Sequence, residues 1–270
     1  MAMCCAAWGF REFDLRDYFH AASDAGLTSV ECMCAPSVPL HLQADMPIGD
    51  IRATSALARQ AGVDIVAIAT TCDLTLSDTV LLRDEVSNVE RVLELADGLG
   101  AEVVTIPAGW APEDQITEDT YGQVSDALVQ LGELAGDLRL TLALQNHAGI
   151  AATAENCARI FEPLIGLDNV GLNYDPCNFH LAAQDPYEAL QALGERIVYV
   201  HLKDCVSAGG EPEFVPVGQG ELDWPPICSN LETDFRGYIA VECDVPDNVE
   251  EGTRESVEFL GRYLEDIPRA

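Results

Sequence analysis

Lysine is almost missing from this 270-residue chain: Lys203 stands alone beside 13 arginines. Positive charge is scarce altogether, with 14 Lys and Arg against 46 Asp and Glu and a formal net charge of −32. The acids run through the whole chain rather than forming a tail. Such a surface repels nucleic acid and anionic lipid at ordinary salt, so neither is expected as a partner. An evenly acidic, lysine-poor chain is what a salt-accumulating extreme halophile would make, because a Debye length of ~3 Å at molar salt screens the self-repulsion. No apolar run reaches the ~18 residues needed to span a bilayer. The first ten residues lack a basic start and a long apolar stretch, so no secretory signal is expected and the reading is cytoplasmic. The ten cysteines contain no CxxC pair, which removes the common zinc-site spacing. A chain of this length needs no disulfide staples. Cys4, Cys5, Cys32, Cys34, Cys72, Cys177, Cys205 and Cys243 fall at or near expected strands and read as buried reduced thiols.

What the chain does have is core: 48% of its residues are hydrophobic. Short apolar, β-branched runs alternate with longer helical patterns. The expected strands are Met3–Ala7, Ser29–Met33, Asp64–Thr70, Glu102–Ile106, Thr141–Asn146, Val170–Tyr174, Ile197–Leu202 and Tyr238–Glu242. Between them, apolar residues recur at three- and four-residue spacing, as at Val86, Val89, Leu93 and Ala96. Asp14, Thr153, Asp185 and Asp223 are expected helix caps. Gly26, Gly62, Gly100 and Gly194 sit where helices should stop. Alternating strands and helices imply a parallel sheet, and eight such units close into a single (β/α)8 barrel over residues 1–270. The rival open sheet usually carries GxGxxG after its first strand, and nothing of the kind follows Met3–Ala7.

In such barrels the reactive side chains project from the C-terminal ends of the strands. The last four expected strands end in Gln145-Asn146-His147, Asp175-Pro176-Cys177-Asn178, His201-Leu202-Lys203-Asp204 and Glu242-Cys243-Asp244. Alone, Asp175 before Pro176 reads as a helix cap, His201 as a core residue and Glu242 as a surface position. On four successive strands ~4.8 Å apart, Gln145, Asp175, His201 and Glu242 can converge on one ion. Carboxylate, imidazole and amide oxygen together suit Mn²⁺, Mg²⁺ or Co²⁺ rather than a thiolate-preferring metal.

At these residues the chain resembles the xylose isomerase-like barrels, a family of sugar phosphate isomerases and epimerases. The segments that carry the resemblance are LALQNHAG, VGLNYDPCNFHLAAQDPYEAL, IVYVHLKD, VPVGQGELDWPPI and GYIAVECD. Members hold a divalent ion with Glu on strand five, Asp on strand six, His on strand seven and Glu on strand eight. The resemblance implies that Asp175, His201 and Glu242 are metal ligands. It also implies a small polyhydroxylated substrate and pairing into a homodimer or homotetramer. The family's DNA-repair branch uses a His-rich multi-zinc site, which five scattered His and the net charge of −32 do not fit.

Gln145 departs from the family pattern, which has Glu there. Its neutral carbonyl can still ligate a hard cation, but Gln cannot take a proton. Glu242 then remains as the single general base, with an ion to stabilise an enediolate. The first reading is an isomerase or epimerase of a sugar or sugar derivative acting through an enediolate, since one base shuttling a proton between neighbouring carbons gives isomerisation. One base plus an acid for a leaving hydroxyl, Lys203 or His147, gives dehydration of a keto-inositol or sugar acid. A third reading is a barrel that has lost catalysis and only binds sugar. Lys203 stands out because composition has removed every other lysine. Asn178, His41, Trp8, Trp110 and Glu31 are expected substrate contacts: Asn178 three residues past Asp175, His41 in a Pro-rich loop expected to cap the mouth, the tryptophans as flat faces for a sugar. The Val217-Gly218-Gln219-Gly220 turn has the look of a phosphate cradle without a basic partner.

Overall fold

Eight of the short apolar runs pair in parallel and close on themselves. The computed structural model describes residues 1–207, 211–245 and 248–264; the end of the expected 1–270 unit, residues 265–270, lies outside the described residues. The strands in chain order are β1 (Ala2–Cys5), β2 (Ser29–Cys34), β3 (Asp64–Thr70), β4 (Val103–Ile106), β5 (Thr141–Gln145), β6 (Val170–Tyr174), β7 (Ile197–Leu202), β8 (Asp204–Val206), β9 (Glu213–Val215) and β10 (Tyr238–Val241). The closed barrel runs β1-β10-β7-β6-β5-β4-β3-β2, so the expected (β/α)8 architecture is present. The helices are α1 (Leu15–Asp24), α2 (Ile48–Ala61), α3 (Thr79–Leu99), α4 (Glu118–Asp137), α5 (Ala154–Phe161), α6 (Pro176–Leu181), α7 (Pro186–Leu193), α8 (Trp224–Asp234) and α9 (Val249–Leu260). Among the described residues no helix is long and apolar enough to cross a membrane.

Two buried populations hold the barrel. The larger lies between strands and helices, where Val89, Leu93, Leu128 and Leu131 pack on the sheet's outer face. The smaller fills the interior: Cys4, Ala6, Val66, Val103, Ala143 and Ala240 surround the fully buried ring of Tyr199, with Tyr238 packed against them. Parity divides them, since successive side chains on a strand point to opposite faces. Met3 and Cys5 belong to the outer cluster, while Cys4 and Ala6 belong to the inner one. All ten cysteines are buried free thiols: the eight expected from their strand positions, and Cys157 and Cys228 on the inward faces of α5 and α8.

Asp14, Thr153 and Asp185 cap their helices as expected, each accepting from a first-turn amide. Gly62 and Gly100 end α2 and α3 in the left-handed conformation that glycine adopts without steric cost. Two expectations need correction. Gly194 does not stop its helix in that way; at φ −49° it leads into a 3-10 turn, Gly194–Arg196. Asp223 stands at the start of α8 without a capping bond, because Pro at the helix start leaves fewer amides to cap. Strand one ends at Cys5 rather than Ala7, where the 3-10 turn Trp8–Phe10 takes over. The antiparallel β8–β9 pair, with Asp204 opposite Val215, is not among the expected strands, although Gly209-Gly210 and Pro212 between its strands mark a turn in the sequence.

Candidate active site

The alternation that fills the interior also builds the mouth. Ala143, Tyr199 and Ala240 point inward, so Gln145, His201 and Glu242, each two residues further on, rise from the same inner face. Asn173 donates across the barrel to Thr105 at 2.8 Å, and Asp175 follows it by two. Parallel pairing levels the strands: Gln145 lies opposite Asn173, and Ala240 opposite His201. The ligand atoms of Asp175, His201 and Glu242 consequently fall within 4.8 Å of one another, all three buried.

His201 is held at both ring nitrogens. Nε2 lies 2.8 Å from Glu31 Oε2, and Nδ1 lies 2.8 Å from Glu242 Oε2. Gln145 Nε2 reaches Asp175 Oδ2 at 3.2 Å and His201 Nδ1 at 3.1 Å, so the strand-five amide closes the ring. Lys203 Nζ sits 3.0 Å from Asp175 Oδ2 and 3.5 Å from Glu242 Oε1. Asp175 serves twice, since its Oδ1 also accepts from the Asn178 amide at 3.1 Å and caps α6.

Charges so close move one another's protonation. Burial alone would pull His201 down, but Glu31 and Glu242 outweigh it and its pKa rises to about 10. Burial also opposes the charge on Lys203, yet Asp175 and Glu242 hold the ammonium well above its ordinary range. Burial favours neutral Glu242, and Lys203 and His201 override it, keeping the carboxylate charged far below its usual pKa. His147 moves the other way: burial, then Lys203, lowers its pKa. Its Nδ1 is buried with no hydrogen-bond partner, and its ring meets Trp110 edge-on at 5.1 Å.

The donor set fits a divalent cation. Two carboxylates and an imidazole converge from three neighbouring strands, the carboxylates bring two negative charges to offset the ion's, and the Gln145 amide, its Nε2 now turned to Asp175 and His201, would offer its oxygen on rotation about the terminal bond. Above the cluster opens a cavity of about 550 Å³, to which Glu31, Gln145, His147, Asn178, His201, Lys203, Glu242, Trp8 and Trp110 all contribute. Of the expected substrate contacts, His41 is not there. It is buried beneath α1, stacked on Tyr18 at 5.5 Å, with Nε2 3.2 Å from the Phe10 carbonyl. The loop from Pro36 to His41 does not line this cavity either: Val38 and His41 turn into the core instead of over the mouth. Glu31 reaches the cavity but spends its carboxylate on His201.

Sequence reasoning missed Asn146. Fully buried, it accepts from the Asp175 amide at 2.7 Å, donates to the Asp175 carbonyl at 2.9 Å, and its own carbonyl accepts from Asn178 Nδ2 at 2.8 Å. It braces the Asp175 backbone between two strand ends. An Asn immediately after a core strand, where no exposed turn needs it, is the signal that marks it. Asp204 was also missed: its buried carboxylate accepts from the amides of Cys205, Gly218 and Gly220 and from Trp224 Nε1, pinning the loop before α8.

Comparison with known proteins places this geometry. Among curated relatives, the inosose dehydratase of Geobacillus kaustophilus (strain HTA426) is 30% identical over 155 residues, half of each chain. The inosose isomerase of Bacillus velezensis (strain DSM 23117 / BGSC 10A6 / LMG 26770 / FZB42) is 22% identical over 192 residues, 68% of this chain and 69% of that one. The chain thus spans about half the length of the inosose dehydratases it matches. Solved structures share the fold: the IOLI protein with a bound zinc atom superposes with a TM-score of 0.80 at 20% identity, covering 98% of this chain and 100% of that one. The 3-keto-D-glucoside 4-epimerase of E. coli gives 0.77 at 16%, covering 97% and 99%. The profile described as Xylose isomerase-like TIM barrel matches residues 19–263, and the chain belongs to that family.

Proposed function

We propose that this protein is a divalent-metal-dependent isomerase of a small polyhydroxylated carbonyl compound, working with one base. The observation that carries the reading is the asymmetry around the ligand cluster. Glu242 and Lys203 lie 3.5 Å apart in the cluster, and the strand-five position brings to it only the amide of Gln145. An ion of the Mn²⁺, Mg²⁺ or Co²⁺ kind, held by Asp175, His201, Glu242 and Gln145, would supply Lewis-acid polarisation of the substrate carbonyl and stabilise an enediolate.

The chain's own groups do the rest. Glu242 takes the proton from the carbon beside the carbonyl and returns it to the neighbouring carbon, which converts aldose to ketose or the reverse. Gln145 cannot accept a proton, so a two-carboxylate epimerisation has lost one partner. Lys203, fixed as an ammonium, hydrogen-bonds developing oxyanions and keeps Glu242 ionised. His147, whose ring lines the cavity and is held neutral by burial, is the group to exchange a proton with a substrate hydroxyl.

A second reading, dehydration of a keto-inositol or sugar acid, is favoured by the inosose dehydratases among the relatives. Glu242 would again remove the proton, and His147 or Lys203 would protonate the departing hydroxyl. Incubation of inososes and ketoses with Mn²⁺ in D₂O separates the two. Deuterium uptake without loss of water is the expected result. An unsaturated or deoxy-keto product moves the assignment to a lyase. No exchange together with no bound metal overturns both and leaves a sugar-binding barrel.

A further inference from the structure

The cavity above the cluster discriminates among substrates by what it lacks. Among the described residues lining it, Lys203 is the sole Lys or Arg, and its ammonium is paired with both Asp175 and Glu242, so its charge is already offset. Arg11 stacks on the Trp8 ring at 5.1 Å with Nη1 bonded to Asp244 at 2.7 Å and to the Trp8 carbonyl at 2.9 Å, and it does not line the cavity. Of the residues outside those described, 208–210 and 246–247 contain no Lys or Arg, and 265–270 contain Arg269. The turn that resembles a phosphate cradle is also occupied: the amides of Gly218 and Gly220 donate to Asp204 at 2.9 and 3.0 Å. A Cβ at position 220 would collide with the same carboxylate, so the turn is shaped around Asp204 rather than around a ligand. A substrate phosphate would enter facing Glu31, Glu242 and Asp244, and among the described lining residues only Lys203, its charge offset by two carboxylates, would meet it.

What the upper cavity offers instead is apolar surface. Met33, Ile106, Trp110, Leu181 and Phe214 line it, with Trp8. Trp110 is 50% exposed and Leu181 39%, large apolar side chains left in water at the edge of a polar-floored site. The floor already provides the groups that recognise a carbonyl and its neighbouring hydroxyls. Its walls therefore answer to a different part of the ligand, and 550 Å³ exceeds what one sugar ring fills.

We infer that the substrate is an unphosphorylated polyhydroxy carbonyl compound carrying an apolar substituent, an aryl or alkyl glycoside in character, whose ring sits over the ion and whose substituent lies on the apolar wall that includes Trp110 and Leu181. This rests on the assignment of the cluster as a metal-dependent sugar site. The test is calorimetric titration of the Mn²⁺-loaded protein with methyl and phenyl 3-keto-glucoside, which share a head, and with fructose and fructose 6-phosphate. The phenyl glycoside should bind at least about tenfold tighter than the methyl one, from burial of its ring. That ratio should shrink toward one in Trp110→Ala and in Leu181→Ala, both at exposed positions, and fructose 6-phosphate should bind no tighter than fructose. Equal affinity of the two glycosides, or tighter binding of the phosphate, overturns the inference and leaves the sugar-site assignment standing. Failure of every sugar to bind despite a loaded ion overturns both.

Discussion

The two halves of the barrel meet at one mouth and bring different things to it. The half built from β5, β6, β7 and β10 supplies Gln145, Asp175, His201, Lys203 and Glu242, all within one network of short polar contacts. The half built from β1 to β4 supplies Trp8, Met33, Ile106 and Trp110, and a single charged group, Glu31. The difference teaches that charge is what divides the mouth: nearly all of it enters from one half, while apolar surface comes from both, since Leu181 in α6 and Phe214 in β9 join the tryptophans. Glu31 is the exception, crossing the barrel to hold His201 from behind.

The sharpest way to break the comparison is Glu242→Gln. With the single base removed, deuterium exchange into substrate should fall by about 10²–10⁴-fold, with circular dichroism unchanged. A fall of only a few-fold would move the base to the other half. Next in size, Glu31→Gln should weaken Mn²⁺ binding by about 10–100-fold, because the carboxylate that orients the ligating imidazole is lost. Unaltered affinity would make Glu31 a substrate contact after all. Gln145→Glu should act in the opposite sense, restoring a third negative charge and tightening Mn²⁺ binding by roughly tenfold, about 1.4 kcal/mol. No change would show that Gln145 stays off the ion.

The smallest effect concerns the metal-stripped protein. His201 gains its carboxylate partners on folding, and its pKa rises from 6.5 to about 10. A raised pKa means that the folded state binds the proton more tightly than the unfolded state does. The stabilisation from His201 is therefore complete below pH 6.5 and is lost as pH rises through about 10. Melting temperature measured with chelator across that window should fall, and His201→Asn should flatten the slope. An unchanged slope would show that the imidazolium is not the group responsible.

The amino-acid sequence alone determined the alternation of strand and helix, and with it the barrel and the level at which Asp175, His201 and Glu242 stand. That information is local: a two-residue period fixes which face a side chain takes, and short parallel strands bring their C-terminal ends to one rim. Buried cysteines, the helix caps at Asp14, Thr153 and Asp185, and the place of Trp8 and Trp110 at the mouth follow from the same local rules. Only the tertiary structure decided what those side chains touch. Glu31 and His201 are 170 residues apart, and nothing near either one announces the other. His41 looked like a mouth residue until closure of the barrel turned it into the core beside Tyr18. Asn146 and Asp204 became anchors because backbone amides from distant segments arrived unpaired beside them, and a buried amide must find an acceptor wherever the fold provides one.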